Sequence, residues 1–129
     1  MALAHGRILL AEDHESNVMA IEDFLKASGY EVFSVQNGRE VLSKIEEADP
    51  DLILMDIQMP DMDGLEATVL LRADPRYVSI PIIALTALAM TGDRERCLEA
   101  GMNAYLSKPF RLTDLLQVID KFLQPDAQP

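Results

Sequence analysis

The sequence predicts an α/β fold, an open doubly wound sheet of five parallel strands covered by five helices, and three observations predict it. Short apolar runs alternate strictly with longer segments of helical period, five of each, and strands alternating with helices build βαβ units. Several of the runs are apolar throughout rather than at every second position, as in strands buried on both faces. The chain has 129 residues, the size of one domain with a core of its own, whereas a closed eight-fold barrel needs about twice that length.

Each element has its own signal. Ile8-Leu9-Leu10-Ala11 is an apolar run too short for a helix. Val18, Ile21 and Leu25 then recur at helical spacing between Ser16 and Ser28, and Gly29 stands where a glycine ends a helix. Glu31 to Val35 is brief and β-rich. Asn37 reads as an N-cap with Glu40 in the capping-box position, ahead of the stripe Val41, Leu42 and Ile45 and the stop at Pro50. Leu52 to Met55 is the third run. Met59 to Gly64 is turn material, and Leu65 to Arg72 reads as the third helix. Ile82 to Leu85 is the fourth run, followed by a helix with Thr91 as its expected cap and Gly101 at its end. Ala104 to Ser107 is extended. Leu112, Leu115, Leu116, Ile119 and Leu123 mark an amphipathic last helix. Residues 1–6 read as a lead, 7–123 as the domain and 124–129 as a tail.

Composition narrows the partners. Against 11 Lys and Arg stand 22 Asp and Glu, a net charge of −11. Nucleic acid and anionic membrane both call for a cationic face, so a divalent cation or a basic protein surface is the better match. With 49% hydrophobic residues the chain is not a disordered one. The lone Cys97 forms no internal disulfide. No secretory signal is visible, and the longest nearly apolar stretch, Ile80 to Met90, is about half of what a bilayer requires. The expectation is a soluble cytoplasmic protein.

Open α/β sheets bind ligands beyond the carboxyl ends of their strands, so the residues that follow each run carry the functional reading. Glu12 and Asp13 follow the first, Asp56 the third, Thr86 the fourth, and Lys108-Pro109 the fifth. A single acid after a strand is ordinarily a solvated turn residue. Three carboxylates, a hydroxyl and an ammonium on one edge form a set of complementary chemistry. Crowded carboxylates raise one another's pKa unless a cation intervenes, and Mg²⁺ takes oxygen ligands while keeping several waters. Asp56 is then placed to act as a nucleophile toward phosphorus, with Lys108 and Thr86 stabilising phosphoryl oxygens.

Four motifs, ILLAED (Ile8–Asp13), LILMDIQMPDMDG (Leu52–Gly64), IPIIALTA (Ile80–Ala87) and AYLSKPF (Ala104–Phe110), resemble those of the receiver domain of two-component response regulators. The likeness runs from Arg7 to about Leu123, and the intervals between Asp13, Asp56, Thr86 and Lys108, of 43, 30 and 22 positions, also fit. The resemblance implies a flavodoxin-like sheet in the order 2-1-3-4-5 and a phosphoryl group transferred to Asp56 from a partner phosphohistidine. It further implies Mg²⁺, or Mn²⁺ in its place, with Asp13 as the direct ligand, Asp56 also among the metal residues, Glu12 acting through water and Gln58 through its backbone carbonyl. Thr86 and Tyr105 would form the switch, and Lys108 would pair with the phosphoryl oxygens across a Lys108–Pro109 bond that the family commonly makes cis. Leu88 takes a position that tunes dephosphorylation. Pro60 and Gly64 read as turn chemistry, with Gly64 relieving crowding near Asp56. His14 stands where an Asn, Asp or Glu is more usual and reads as an exposed loop residue within reach of the ion.

The wording of the motifs is closest to receivers of hybrid histidine kinases and stand-alone relay regulators, so the chain is expected to be one or the other. The implied partner is a histidine kinase or histidine phosphotransfer domain; nucleic acid and membrane are not expected as partners. The expected state is a monomer or a weak dimer that depends on phosphorylation. It would be a phosphoacceptor rather than an enzyme, although a parent hybrid protein would be a kinase. Met19, Ala20 and Phe24 broaden the apolar band of the first helix. They either fill the core or, for Ala20 and Phe24 with Pro109 and Phe110, form a docking patch. Arg94, Arg96 and Tyr105 fall on the expected output face. One competing reading is an interaction module on the same fold that works without phosphorylation. Another is a flavodoxin-like cofactor binder or small hydrolase, which the anionic loop Glu12-Asp13-His14-Glu15 disfavours.

Overall fold

A computed structural model describes residues 6–87 and 92–124. The elements run β1 (Arg7–Ala11), α1 (Glu15–Ala27), β2 (Glu31–Val35), α2 (Gly38–Ala48), β3 (Leu52–Asp56), α3 (Gly64–Arg72), β4 (Ile82–Thr86), α4 (Asp93–Ala100), β5 (Ala104–Ser107) and α5 (Leu112–Leu123). All pairings are parallel, in the order β2-β1-β3-β4-β5. The expected fold and strand order are both present.

Two apolar layers hold the helices to the sheet. On one face Ile21 and Leu25 of α1 pack with Leu115 and Ile119 of α5 over Ile8, Leu10, Leu54 and Ile83. On the other, Val41 and Ile45 of α2, Ala67 and Leu71 of α3 and Cys97 of α4 cover Leu9, Ile53, Met55 and Ala84. The central strands β3 and β4 are buried along their whole length, which is why their sequences are continuous apolar runs. At the edge, β2 buries Val32 and Val35 and leaves Phe33 exposed.

Local chemistry sets the boundaries. The helix α1 ends with Ser28 in the C-cap position and Gly29 at φ +104°, and the Tyr30 N–H donates to the Leu25 carbonyl. That is the hydrogen-bond pattern of a glycine-terminated helix. The Asn37 side chain accepts from the Glu40 N–H (2.9 Å), while Glu40 reaches back to the N–H of Gln36 rather than to Asn37 itself. Asp63, read as turn material, is the N-cap of α3 and accepts from the Glu66 N–H (2.9 Å). Gly92 holds the N-cap position of α4; Thr91, the expected cap, and Leu88 lie outside the described residues, as do the first five and last five residues. Asp56 and Thr86 are the last residues of their strands rather than the first beyond them, because the main chain still pairs there, Asp56 with Leu85 and Thr86 with Ser107.

Candidate functional site

The carboxyl ends of β1, β3, β4 and β5 meet at one place. Because β1 lies beside β3 and β3 beside β4, Glu12 and Asp13, Asp56, and Thr86 come from adjacent strands. Lys108 follows β5 and reaches across the edge: its Nζ donates to Asp56 Oδ2 (2.7 Å) and to Glu12 Oε1 (2.8 Å). The other Asp56 oxygen, Oδ1, accepts from the Gln58 N–H (2.9 Å). The Lys108–Pro109 bond is cis. Gly64 starts α3 directly against this strand end. A Cβ there would run into the Asp56 carbonyl oxygen and lie 2.8 Å from Met55 Cγ, so the position admits no side chain without moving Asp56.

The electrostatics follow from burial. The Glu12 side chain is fully buried and that of Asp56 nearly so. Burial raises the Asp56 pKa, Lys108 opposes the rise, and the Glu12 charge adds to it; the net direction is upward. For Glu12 burial also pushes up, but the bond from Lys108, the backbone and side-chain bonds from His14 and the Lys108 charge prevail, drawing it down to about 2. Burial pushes Lys108 toward neutrality, and the hydrogen bonds and charges of its two carboxylate partners overcome that, so its pKa rises. The result is one ammonium shared by two buried acids, with a third acid alongside.

That third acid is the least satisfied of the three. Asp13 Oδ1 is shielded from solvent and has no hydrogen-bond partner among the described residues. Oxygen atoms of Glu12, Asp13 and Asp56 and a ring nitrogen of His14 all lie within 4.8 Å of one another. Hard oxygen donors in excess of their counter-charge, one of them without a hydrogen bond, fit a divalent cation.

The remaining expected residues are placed as follows. Thr86 is buried at the end of β4, and Tyr105 is half-buried in β5 against the layer under α2, α3 and α4. Phe24 packs into the layer under α1 and α5, so it is core rather than docking patch. Ala20, Pro109, Phe110 and Leu112 line a cleft of about 440 Å³ together with Glu12 and Lys108. Met19 stays exposed. His14 does more than its loop position suggested: Nδ1 lies 3.1 Å from Glu12 Oε2 and 3.3 Å from Asp13 Oδ1. Two supports of the site escaped the sequence reading. The Gly38 N–H donates to the Met62 carbonyl (2.8 Å) and Arg39 Nε donates to Asp61 Oδ2 (2.8 Å), tying α2 to the loop after Asp56. The positive φ of Asp61 (+70°) is invisible in residue type alone, and the glycine at 38 was the only local hint of close approach.

The response regulator receiver domain family matches residues 8–120. The polar-differentiation response regulator DivK of Brucella anthropi is 44% identical over 116 residues, covering 90% of this chain and 94% of that protein. Among solved structures, the receiver domain of sensor histidine kinase PA1611 from Pseudomonas aeruginosa PAO1 superposes with a TM-score of 0.84. It is 42% identical, covers 95% of this chain and 99% of its own, and carries a magnesium ion coordinated in its active site cleft. The Vibrio cholerae chemotaxis protein CheY4 superposes at 0.85 with 31% identity, over 95% of this chain and all of its own. No helix among the described residues is long and apolar enough to cross a membrane. The chain belongs to the receiver domain family of two-component response regulators.

Proposed function

We propose that residues 7–123 act as a Mg²⁺-dependent phosphoacceptor, taking a phosphoryl group from a partner phosphohistidine onto Asp56. The observation that carries this reading is the shared Lys108. It holds Asp56 and Glu12 together at 2.7 and 2.8 Å while the neighbouring Asp13 oxygen has no hydrogen-bond partner among the described residues. Asp13 and Asp56, with the Gln58 carbonyl oxygen and, more remotely, Glu12, would hold the cation. When bound, Mg²⁺, or Mn²⁺ in its place, supplies the positive charge that lets three acids and a phosphoryl group share one edge.

The remaining steps belong to the chain. A carboxylate oxygen of Asp56 forms the new P–O bond as the P–N bond of the phosphohistidine breaks. The imidazole leaves with the bonding electron pair, so no further nucleophile is needed. The Gln58 N–H orients the carboxylate by holding Oδ1. Lys108 exchanges the Asp56 oxygen for a phosphoryl oxygen and neutralises the charge that gathers there. Thr86 turns its hydroxyl to the same group, and Tyr105 follows into the space behind it. That local charge event shifts the population of the α4–β5–α5 face, on which Arg94 and Arg96 lie. The domain acts as a signalling acceptor in place of an enzyme with its own substrate. A helical, histidine-bearing partner with a basic rim docks at the cleft of Ala20, Pro109 and Phe110, beside the acidic edge.

Intact-mass spectrometry with a small phosphodonor such as acetyl phosphate, in Mg²⁺ and in EDTA, tests the reading. One phosphoryl adduct is expected, dependent on Mg²⁺ and absent from Asp56→Asn. If neither that donor nor a phosphorylated histidine kinase adds mass, the acceptor reading is wrong, and a module that binds partners without phosphorylation replaces it.

A further inference from the structure

The helix α3 is apolar on both sides. Ala67, Thr68 and Leu71 are buried against the sheet, yet Val69 and Leu70 are 53% and 45% exposed. With the exposed Glu66 and Ala73 they form a stripe at i, i+3, i+4 and i+7 along the solvent side. A surface helix ordinarily turns charge outward, as α2 does with Arg39, Lys44, Glu46 and Glu47. Apolar surface continues on both flanks of the stripe. Arg72 donates to the Gly101 carbonyl and ties the carboxyl ends of α3 and α4 together. Val69 lies one turn before Arg72, and Leu98, 46% exposed, lies one turn before Gly101, so the two stand at the same level of helices that run the same way. On the other flank Leu70 borders a cleft of about 210 Å³ lined also by Leu42 of α2 and Tyr77.

Charge argues for what covers this face. The chain carries −11 overall, but residues 64–79 hold two acids, Glu66 and Asp74, and two bases, Arg72 and Arg76, so this segment is neutral. Two copies of an acidic chain repel each other over most of their surface, and a neutral apolar patch is where that repulsion is least. A basic partner gains nothing there and is drawn to the acidic edge instead. The ends of the stripe also complement each other. Exposed Glu66 stands at its amino end and exposed Arg76 beyond its carboxyl end; Arg76 pairs with Asp74 (2.9 Å) at the surface, where such pairs cost little to exchange. A twofold axis beside Val69 and Leu70 sets two α3 helices antiparallel, apolar stripe on apolar stripe, with each Glu66 toward the partner's Arg76. We propose that α3 is a self-association face, a weak twofold dimer made by Val69, Leu70 and Leu98 that needs no phosphoryl group. So few half-exposed side chains fall well short of the roughly 1,600 Å² that a stable complex buries, so the dimer forms only at high concentration.

Sedimentation equilibrium of the full chain in EDTA, without a phosphodonor, tests this. The parent should pass from monomer to dimer with a Kd of about 100 µM. Leu70→Glu should raise that Kd at least about tenfold. Met19→Glu, which adds the same charge at the exposed Met19 of α1, should change it by less than about twofold. Glu66→Arg and Arg76→Glu should each weaken the dimer about threefold, and the two together should restore it, a result that only a second copy in this arrangement gives. A chain still monomeric at about 1 mM overturns the proposal and leaves the stripe to an unlike protein. A dimer that survives Leu70→Glu, or that Met19→Glu weakens equally, overturns it too, as does a reversed pair that fails to restore association. None of these outcomes touches phosphoryl acceptance at Asp56.

Discussion

The two ends of the sheet use charge in opposite ways. At the amino end of β4, Arg72 donates to the carbonyls of Gly101 (2.9 Å), Tyr77 (2.8 Å) and Val78 (3.2 Å) and to Asn103 Oδ1 (2.8 Å). Asn103 Oδ1 in turn accepts from the Ile82 N–H (2.8 Å). Nearby strand ends are closed by the Arg7 N–H on Asp51 (2.8 Å) and the Tyr30 hydroxyl on Asp120 (2.6 Å). Here the Arg72 guanidinium meets neutral acceptors, and Asp51 and Asp120 each accept from a neutral donor. At the carboxyl end, Lys108 is shared by two buried acids and Asp13 keeps an oxygen with no hydrogen-bond partner among the described residues. One end is arranged for stability, and the other holds an excess of like charge that chemistry can use.

The largest test of this contrast is Lys108→Ala. It strands Glu12 and Asp56 without their shared cation and should destabilise the chain in EDTA by about 3 kcal/mol, with part of the loss recovered in Mg²⁺. Urea unfolding with and without Mg²⁺ measures both. Next comes Arg72→Ala, which removes one donor each from the Gly101, Tyr77 and Val78 carbonyls and from Asn103 Oδ1. A loss of about 2 kcal/mol is expected, the same in Mg²⁺ and in EDTA, with phosphoryl acceptance intact. A strong Mg²⁺ dependence for Arg72→Ala would erase the distinction between the two ends.

Smaller effects sharpen the comparison. Asp13→Asn removes one like charge from the crowded edge, so the metal-free protein should gain about 1 kcal/mol while stabilisation by Mg²⁺ disappears. At the opposite end Tyr30→Phe should lose about 1 kcal/mol near neutral pH. Burial first, then the hydrogen bond to Asp120 and its charge, raise the Tyr30 pKa, with Gln124 opposing. The folded state therefore keeps the phenolic proton longer than the unfolded chain. Its stabilising contribution is complete below about pH 10, the ordinary tyrosine value, and fades as pH climbs beyond it. Urea midpoints taken on both sides of that pH should show a smaller alkaline loss in Tyr30→Phe than in the parent.

The same contrast decides what could be read from residue type. Asp13, Asp56, Thr86 and Lys108 were legible because each directly ends or follows an apolar run, and a parallel sheet carries all such ends to one edge. Gly64 was legible for the same reason, since crowding beside a strand end admits only a small residue. Arg72 was not, because its partners Gly101 and Asn103 lie 29 and 31 positions away and three of its contacts are backbone carbonyls that any residue offers. Tyr30 and Asp120, 90 positions apart, left no local trace either. The role of Asp63 as a cap was hidden inside a turn-rich stretch, and Phe24 looked surplus to one helix face although it packs against the layer under α1 and α5. Long-range satisfaction of polar groups by backbone is the part of a fold that side-chain pattern records least.

The most direct test of the central claim is to locate the phosphoryl group. The chain phosphorylated in Mg²⁺ is reduced with borohydride, which converts an aspartyl phosphate to homoserine, and is then digested and sequenced by mass spectrometry. The account predicts homoserine at position 56 and nowhere else, lost in EDTA. Homoserine at Asp13 or Asp61, or a phosphoryl group carried on His14, would contradict it.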